Sequence, residues 1–298
     1  MYWIEPVYTT TGELTLSLKN AIYTNRPPID IAVDAVKRIT ERYPPPYTLF
    51  ASGGIDSQSC IYAWIKSKVE FNVVFVKYEN DFNEHDFVEL QVFKKQYDFN
   101  LEIKHFNVLN FLNTDLEKYV TTYKCVSPMI CTHFAMSETV QDGTIIFSGN
   151  YALPSSTTLS FVETMLMNYK NISGRNIVPS FFFEDPELVF SFHKIHVENK
   201  LIVMNDPNRD SATKIYDREL WPYKIKYLTY QKGGFPVIPQ EIKLTGFEKI
   251  KEYCDIHYPI TKKERLKYSS MQSKRAFEIK FRYPWLNIIP MHLPKVIY

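Results

Sequence analysis

From residue 47 to residue 150 short apolar runs alternate with stretches of helical spacing, and small or polar turn residues mark each change of period. Tyr47–Ala51 is an apolar run that leads into Ser52-Gly53-Gly54, followed by a helical pattern over Gln58–Lys66. Asn72–Tyr78 reads as a buried strand, Phe87–Tyr97 as a helix and Leu101–Val108 as a third strand. A helical stretch over Leu116–Thr139 then precedes a short strand, Thr144–Phe147, that ends at Ser148-Gly149-Asn150. Strands alternating with helices predict an α/β fold: a parallel sheet with right-handed crossovers, flanked by helices.

Upstream, Tyr2–Asn20 alternates apolar and polar residues around Thr11-Gly12, the pattern of a hairpin or extended arm. Ile31, Val33, Val36 and Ile39 have helical spacing within Ile29–Arg42, and Pro44-Pro45-Pro46 stops that helix. Beyond about Leu159 the chain changes to longer, aromatic-rich helical segments broken by prolines, with no further strand-helix repeat expected. The expected organisation is an N-terminal hairpin or arm and helix over 1–43, an α/β domain over 44–158 and a mostly helical substrate or partner region over 159–298.

Open parallel sheets bind ligands beyond the carboxyl ends of their strands, and Ser52–Ser57 and Ser148–Asn150 both follow strands on that edge. The chain has only 9 glycines, where average usage would give about twenty, so the Gly53-Gly54 pair is informative. Glycines allow positive φ and close approach, so that several backbone N–H groups can converge on a phosphate, with a helix N-terminus aimed at the same anion. Ser52 and Ser57 add hydroxyls. Asp56 is repelled by a polyphosphate unless a cation lies between them, which points to Mg²⁺. An ordinary strand-to-helix turn, with Asp56 or Ser57 as N-cap, is the plainer alternative.

Ser52-Gly53-Gly54-Ile55-Asp56-Ser57 resembles the signature of the PP-loop ATP pyrophosphatases, a superfamily of adenine nucleotide alpha hydrolase-like proteins that includes asparagine, NAD and GMP synthetases and tRNA-modifying enzymes. It lacks the Gly-Lys-Ser/Thr of a Walker A loop and the Gly-x-Gly-x-x-Gly of a dinucleotide fold. The resemblance covers about Tyr47–Asn150 and implies a Rossmann-like, HUP-like domain over 44–158 that binds ATP and cleaves it between the α and β phosphates. It implies phosphate contacts from Ser52, Gly53, Gly54, Ile55 and Ser57, with Asp56 catalytic and beside the metal. Val76 and Lys77 would line the adenine, and Ser148, Gly149 and Asn150 would approach the ribose and α-phosphate. An acceptor oxygen would attack the α-phosphorus, forming an adenylate whose AMP is later displaced by ammonia, a sulfur donor or another nucleophile.

Distal lysines that neutralise pyrophosphate are expected, with Lys224 in Trp221-Pro222-Tyr223-Lys224-Ile225-Lys226 and Lys243 in Lys243-Leu244-Thr245-Gly246 as candidates. These segments resemble the C-terminal parts of asparagine-synthase-like proteins, many of them virus-encoded. For any one lysine the alternative is a solvated surface charge. Tyr2 stands where glutamine-dependent asparagine synthetases have cysteine, and no glutaminase-sized region precedes Ser52, so nitrogen is expected as free ammonia or from a partner.

Thirty-five basic residues against 33 acidic ones leave a net charge of +2, so a nucleic-acid partner must be argued from a local patch. Lys262–Arg282 is such a patch: basic residues interleaved with Tyr268, Phe277 and Phe281, suited to RNA or equally to a helix with an aromatic inner face. Cys60, Cys125, Cys131 and Cys254 form no close pair, which fits a reducing cytoplasm. Cys125 and Cys131 could serve a thiolating reaction, or simply be small buried hydrophobes. The run Asn80–Asp86 gathers oxygen ligands and His85, as a cation site or as a loop with Asp81 or Asn83 capping the next helix. His193 and His196 lie one helical turn apart without a third ligand, and a structural role is expected for them. No membrane span or signal peptide is expected.

Three readings stay open: an enzyme adenylating a small-molecule acceptor, an adenylating enzyme acting on tRNA, and a silent nucleotide-binding protein. A homo-oligomer is compatible with each.

Overall fold

The structure, a computed structural model, describes residues 2–8, 14–20, 25–123, 125, 128–149, 161–199, 226–239, 250 and 295–297. Asn150, Lys224, Lys243, Cys254 and the Lys262–Arg282 patch lie outside the described residues, as do the side chains of His193 and His196.

The chain begins with β1 (Tyr2–Tyr8) and β2 (Leu14–Asn20), an antiparallel pair as the alternating pattern predicts. The last strand, β8 (Lys295–Ile297), adds to β2 in parallel and makes this sheet three-stranded. Helix α1 (Pro28–Arg42) follows, with proline in its first turn, where a missing N–H costs nothing, and with Ile31, Ala35, Val36 and Ile39 buried.

The main sheet contains β3 (Tyr47–Ala51), β4 (Asn72–Tyr78), β5 (Asn100–Phe106), β6 (Thr144–Phe147) and β7 (Ile177–Val178), in the order β5-β4-β3-β6-β7 and all parallel. Strand residues alternate between two cores. Leu49, Ala51, Val73, Phe75, Ile146 and Val178 face α1, α2 (Ile55–Ser67), α3 (Glu84–Gln96) and α8 (Pro186–Glu198). Phe50, Val74, Ile145, Phe147 and Ile177 face α4 (Val108–Thr114), α5 (Leu116–Tyr123), α6 (Pro128–Ser137) and α7 (Phe161–Ser173). Helices on both faces explain why the central strands read as continuous apolar runs rather than as half-polar ones.

Several expectations are corrected. The helix after β3 starts at Ile55, one residue ahead of the expected start near Asp56 or Ser57, because Gly54 with extended backbone (φ −64°, ψ 162°) occupies its N-cap position. Neither Asp56 nor Ser57 is the cap. The stretch Leu116–Thr139 is two helices, with Pro128 opening the second at the position where proline fits a helix. The strand-helix alternation does not end near Leu159: β7 is only two residues long, too short to show as a run, yet it pairs with β6 as the fifth strand. Asp185 caps α8 through its Glu187 N–H (2.8 Å), and ion pairs Arg38–Asp185 and Arg42–Glu184 tie this end of α8 to α1.

No helix among the described residues is long and apolar enough to cross a membrane.

Candidate functional site

Strands β3, β4 and β5 advance to one side of the sheet while β6 and β7 lie on the other, so the winding reverses between β3 and β6. Such a reversal opens a crevice beyond the strand ends. Ser52–Ser57 leaves β3 at this crevice and Ser148-Gly149 leaves β6 beside it. The two loops touch: Ser57 Oγ lies 3.2 Å from Ser52 Oγ and 3.4 Å from Ser148 Oγ.

The bend is held from inside. Ser52 N donates to Ser57 Oγ (3.1 Å), and Gln58, fully buried, donates from Nε2 to the Gly53 carbonyl (2.8 Å). Turning this carbonyl inward leaves the consecutive N–H groups of Gly53, Gly54, Ile55, Asp56 and Ser57 with no hydrogen-bond acceptor among the described residues. The last three are first-turn donors of α2, whose positive dipole end points the same way. A row of donors at a helix N-terminus is an anion cradle.

Only one of the two glycines has a left-handed backbone. Gly53 has φ +78°, and a Cβ there would overlap the backbone carbonyl of Asp86 at the start of α3. Gly54 has negative φ, and its Cβ would make ordinary contact with Ser52 Oγ at 3.5 Å. Ile55 turns its side chain into the core, so only its backbone belongs to the cradle.

Asp56 does not point into open solvent. Lys226 Nζ reaches its two oxygens at 3.1 and 2.8 Å, and the Tyr230 hydroxyl donates to Oδ1 at 2.5 Å. Both partners lie on one face of α9 (residues 226–232), one helical turn apart, and Lys226 is only 5% exposed. The sequence pattern singles out Lys224 and Lys243 rather than Lys226, although helical phase places Lys226 with the fully buried Thr229 and Tyr230. Gln58 joins the two halves of the site, since its Oε1 accepts from Ile238 N (2.7 Å) while its amide holds the loop.

Tyr230→Phe should keep the ring packed against Phe182, Phe192 and Phe235 but lose one charge-assisted hydrogen bond, a destabilisation of about 1.5–3 kcal/mol. Urea unfolding of the variant measures it.

On the other flank, β4 outruns β3, whose last register pair is Ala51 with Phe75. Asn83 fills the gap, donating to Val76 O (2.7 Å) and accepting from Tyr78 N (2.9 Å). Asn83 sits at the N-cap position of α3 without a side-chain cap bond, so it braces the strand end rather than the helix. Lys77 pairs with Glu84 (2.7 Å) and Asp81 (3.2 Å) and lies over the Phe87 ring. Burial pushes the Tyr78 hydroxyl up to about 12, so it stays protonated at neutral pH.

No group of three or more His, Cys, Asp or Glu among the described residues is arranged to hold a metal by itself, the Asn80–Asp86 run included. Cys125 and Cys131 are fully buried; Cys131 Sγ donates to the Cys125 carbonyl (3.6 Å), and burial holds the Cys131 thiol well above its ordinary value, the opposite of an activated nucleophile.

No protein-family model and no curated protein sequence matches the chain. Among solved structures it is similar to NMN synthetase from Francisella tularensis, at 12% identity and a TM-score of 0.35, over 78% of this chain and 95% of that one. It is also similar to glutamine-dependent NAD+ synthetase from Acinetobacter baumannii in complex with adenosine diphosphate, at 10% identity and a TM-score of 0.32, over 97% of this chain and 51% of that one. The chain thus spans about half the length of the second protein, and both likenesses are remote.

Proposed function

We propose that the chain binds ATP at Ser52–Ser57 and transfers its adenylyl group to a carboxylate or carbonyl oxygen of a small-molecule acceptor, releasing pyrophosphate. The observation that carries this reading is the row of N–H groups over residues 53–57 without acceptors among the described residues, set directly beside Asp56 with Lys226 behind it. The donors fit phosphate oxygens, and the Lys226 ammonium offsets the negative charge that Asp56 would otherwise hold against them.

The donor set also fits a Mg²⁺ ion of the kind bound by one carboxylate together with substrate phosphates and waters. Asp56 would supply that carboxylate, and the ion would neutralise charge on the departing pyrophosphate. The chain's own contribution is alignment. Gly53 shapes the cradle, Gln58 locks it, Ser57 and Ser148 bring the β3 and β6 loops together, and Tyr230 and Lys226 fix the Asp56 carboxylate. Displacement of AMP from the adenylate by ammonia or another nucleophile completes the proposed cycle. Action on an RNA acceptor, through Lys262–Arg282, is the second reading.

Incubation with radiolabelled ATP, Mg²⁺ and pooled acceptors decides between reaction types. AMP and pyrophosphate are the expected products; ADP and phosphate would overturn the proposal, and so would nucleotide binding without turnover under every acceptor supplied.

A further inference from the structure

The main sheet ends at β5, whose outer side has no partner strand among the described residues. An open edge presents a row of backbone N–H and C=O groups, and chains commonly blunt such edges with prolines, bulges or lysines. β5 carries neither proline nor bulge: its seven residues, Asn100–Phe106, pair with β4 in unbroken register.

Side chains along this edge alternate between the two faces of the sheet. Ile103 has Phe75 as its register partner and so lies on the α3 face, yet it is 39% exposed. Glu102 and Lys104, beside Val74 and Val76, lie on the opposite face. The Glu102 side chain is 59% exposed, and its carboxylate stands 3.6 Å from Lys104 Nζ, which donates to Thr139 Oγ1 (3.1 Å). The edge therefore reads acid, apolar, base. Set antiparallel against itself with Ile103 opposite its own copy, this order brings each Glu102 opposite the partner's Lys104. Centring the pair on Glu102 or on Lys104 instead sets like charges opposite each other.

We propose that two copies of this chain pair through β5, antiparallel and centred on Ile103, so that their main sheets run on into one continuous sheet. The contact is isologous, with a twofold axis beside Ile103, and closes at two copies. α3 joins β4 to β5 on the face of Ile103, so the two α3 helices flank the same axis. Val88 and Val92, one turn apart on α3 and exposed, extend the contact toward the roughly 1,200–2,000 Å² that stable interfaces bury. Because β5 contributes no residue to the Ser52–Ser57 bend, the pairing is independent of the nucleotide reading.

Sedimentation velocity of the full chain over a roughly hundredfold range of concentration tests it. A species of twice the 35.1 kDa chain mass is expected at the upper end. Glu102→Lys sets lysine opposite the partner's Lys104 on both sides of the axis and should weaken self-association about 10-fold or more. The charge-exchanged Glu102→Lys/Lys104→Glu should regain it, a recovery that a defect in folding would not give. Ile103→Arg, which sets two guanidinium groups against each other on the axis, should leave only monomer. Monomer at every concentration of the unaltered chain overturns the proposal. So does a dimer that Glu102→Lys and Ile103→Arg leave as tight as before, or a double variant no tighter than Glu102→Lys alone.

Discussion

Asp56→Ala is expected to abolish pyrophosphate release and also to cost the fold about 3–5 kcal/mol, since it leaves the Lys226 ammonium buried without its carboxylate. The sequence alone predicts loss of activity with an intact fold; the ion pair changes the second half of that expectation. The double variant Asp56→Ala/Lys226→Met separates the effects, because it removes the stranded charge. Urea unfolding should recover most of the lost stability in the double variant, while the pyrophosphate assay stays at background. Turnover near that of the unaltered chain in Asp56→Ala would take Asp56 out of the chemistry, and unchanged unfolding would show that the ion pair contributes nothing to stability.

Gly53→Ala is the second large effect. Its backbone is left-handed, and the added methyl meets a main-chain carbonyl of Asp86 rather than a side chain that could swing away. Strain and forced displacement of α3 together should destabilise by about 2–4 kcal/mol, with loss of nucleotide binding. Gly54→Ala is the internal control, having negative φ and only ordinary contacts, and should melt close to the unaltered chain. Equal melting temperatures for the two variants would refute the assignment of the bend to Gly53.

The parallel sheet was legible because burial on both faces writes itself into the chain as unbroken apolar runs; Tyr47–Ala51 and Thr144–Phe147 are buried at every position. The bend at Ser52–Ser57 was legible for a different reason, namely that two adjacent glycines are conspicuous in a glycine-poor chain. The start of α2 was misread because an apolar Ile55 in a polar turn looks like loop, whereas it is the first core residue of the helix. β7 was invisible because two residues carry no period.

Lys226 escaped for a subtler reason. Spacing within one helix shows that Lys226 and Tyr230 share a face, but nothing local reveals that a carboxylate 170 positions earlier completes the pair. Asn83 illustrates the same limit: its amide can cap a helix or stand in for a missing strand, and only the relative lengths of β3 and β4 decide.

The bridge made by Gln58 carries an implication for how the centre comes into being. One end of this amide holds the Gly53 carbonyl and the other receives Ile238 N–H, 180 positions downstream. The sheet can close from neighbouring segments early, but contacts so distant in sequence must wait for slow, entropically costly loop closure. The braced form of this bend therefore arrives as a late folding event. On the ribosome, the nascent chain would carry its strands in place while the cradle still lacks its brace and Asp56 its counter-ion.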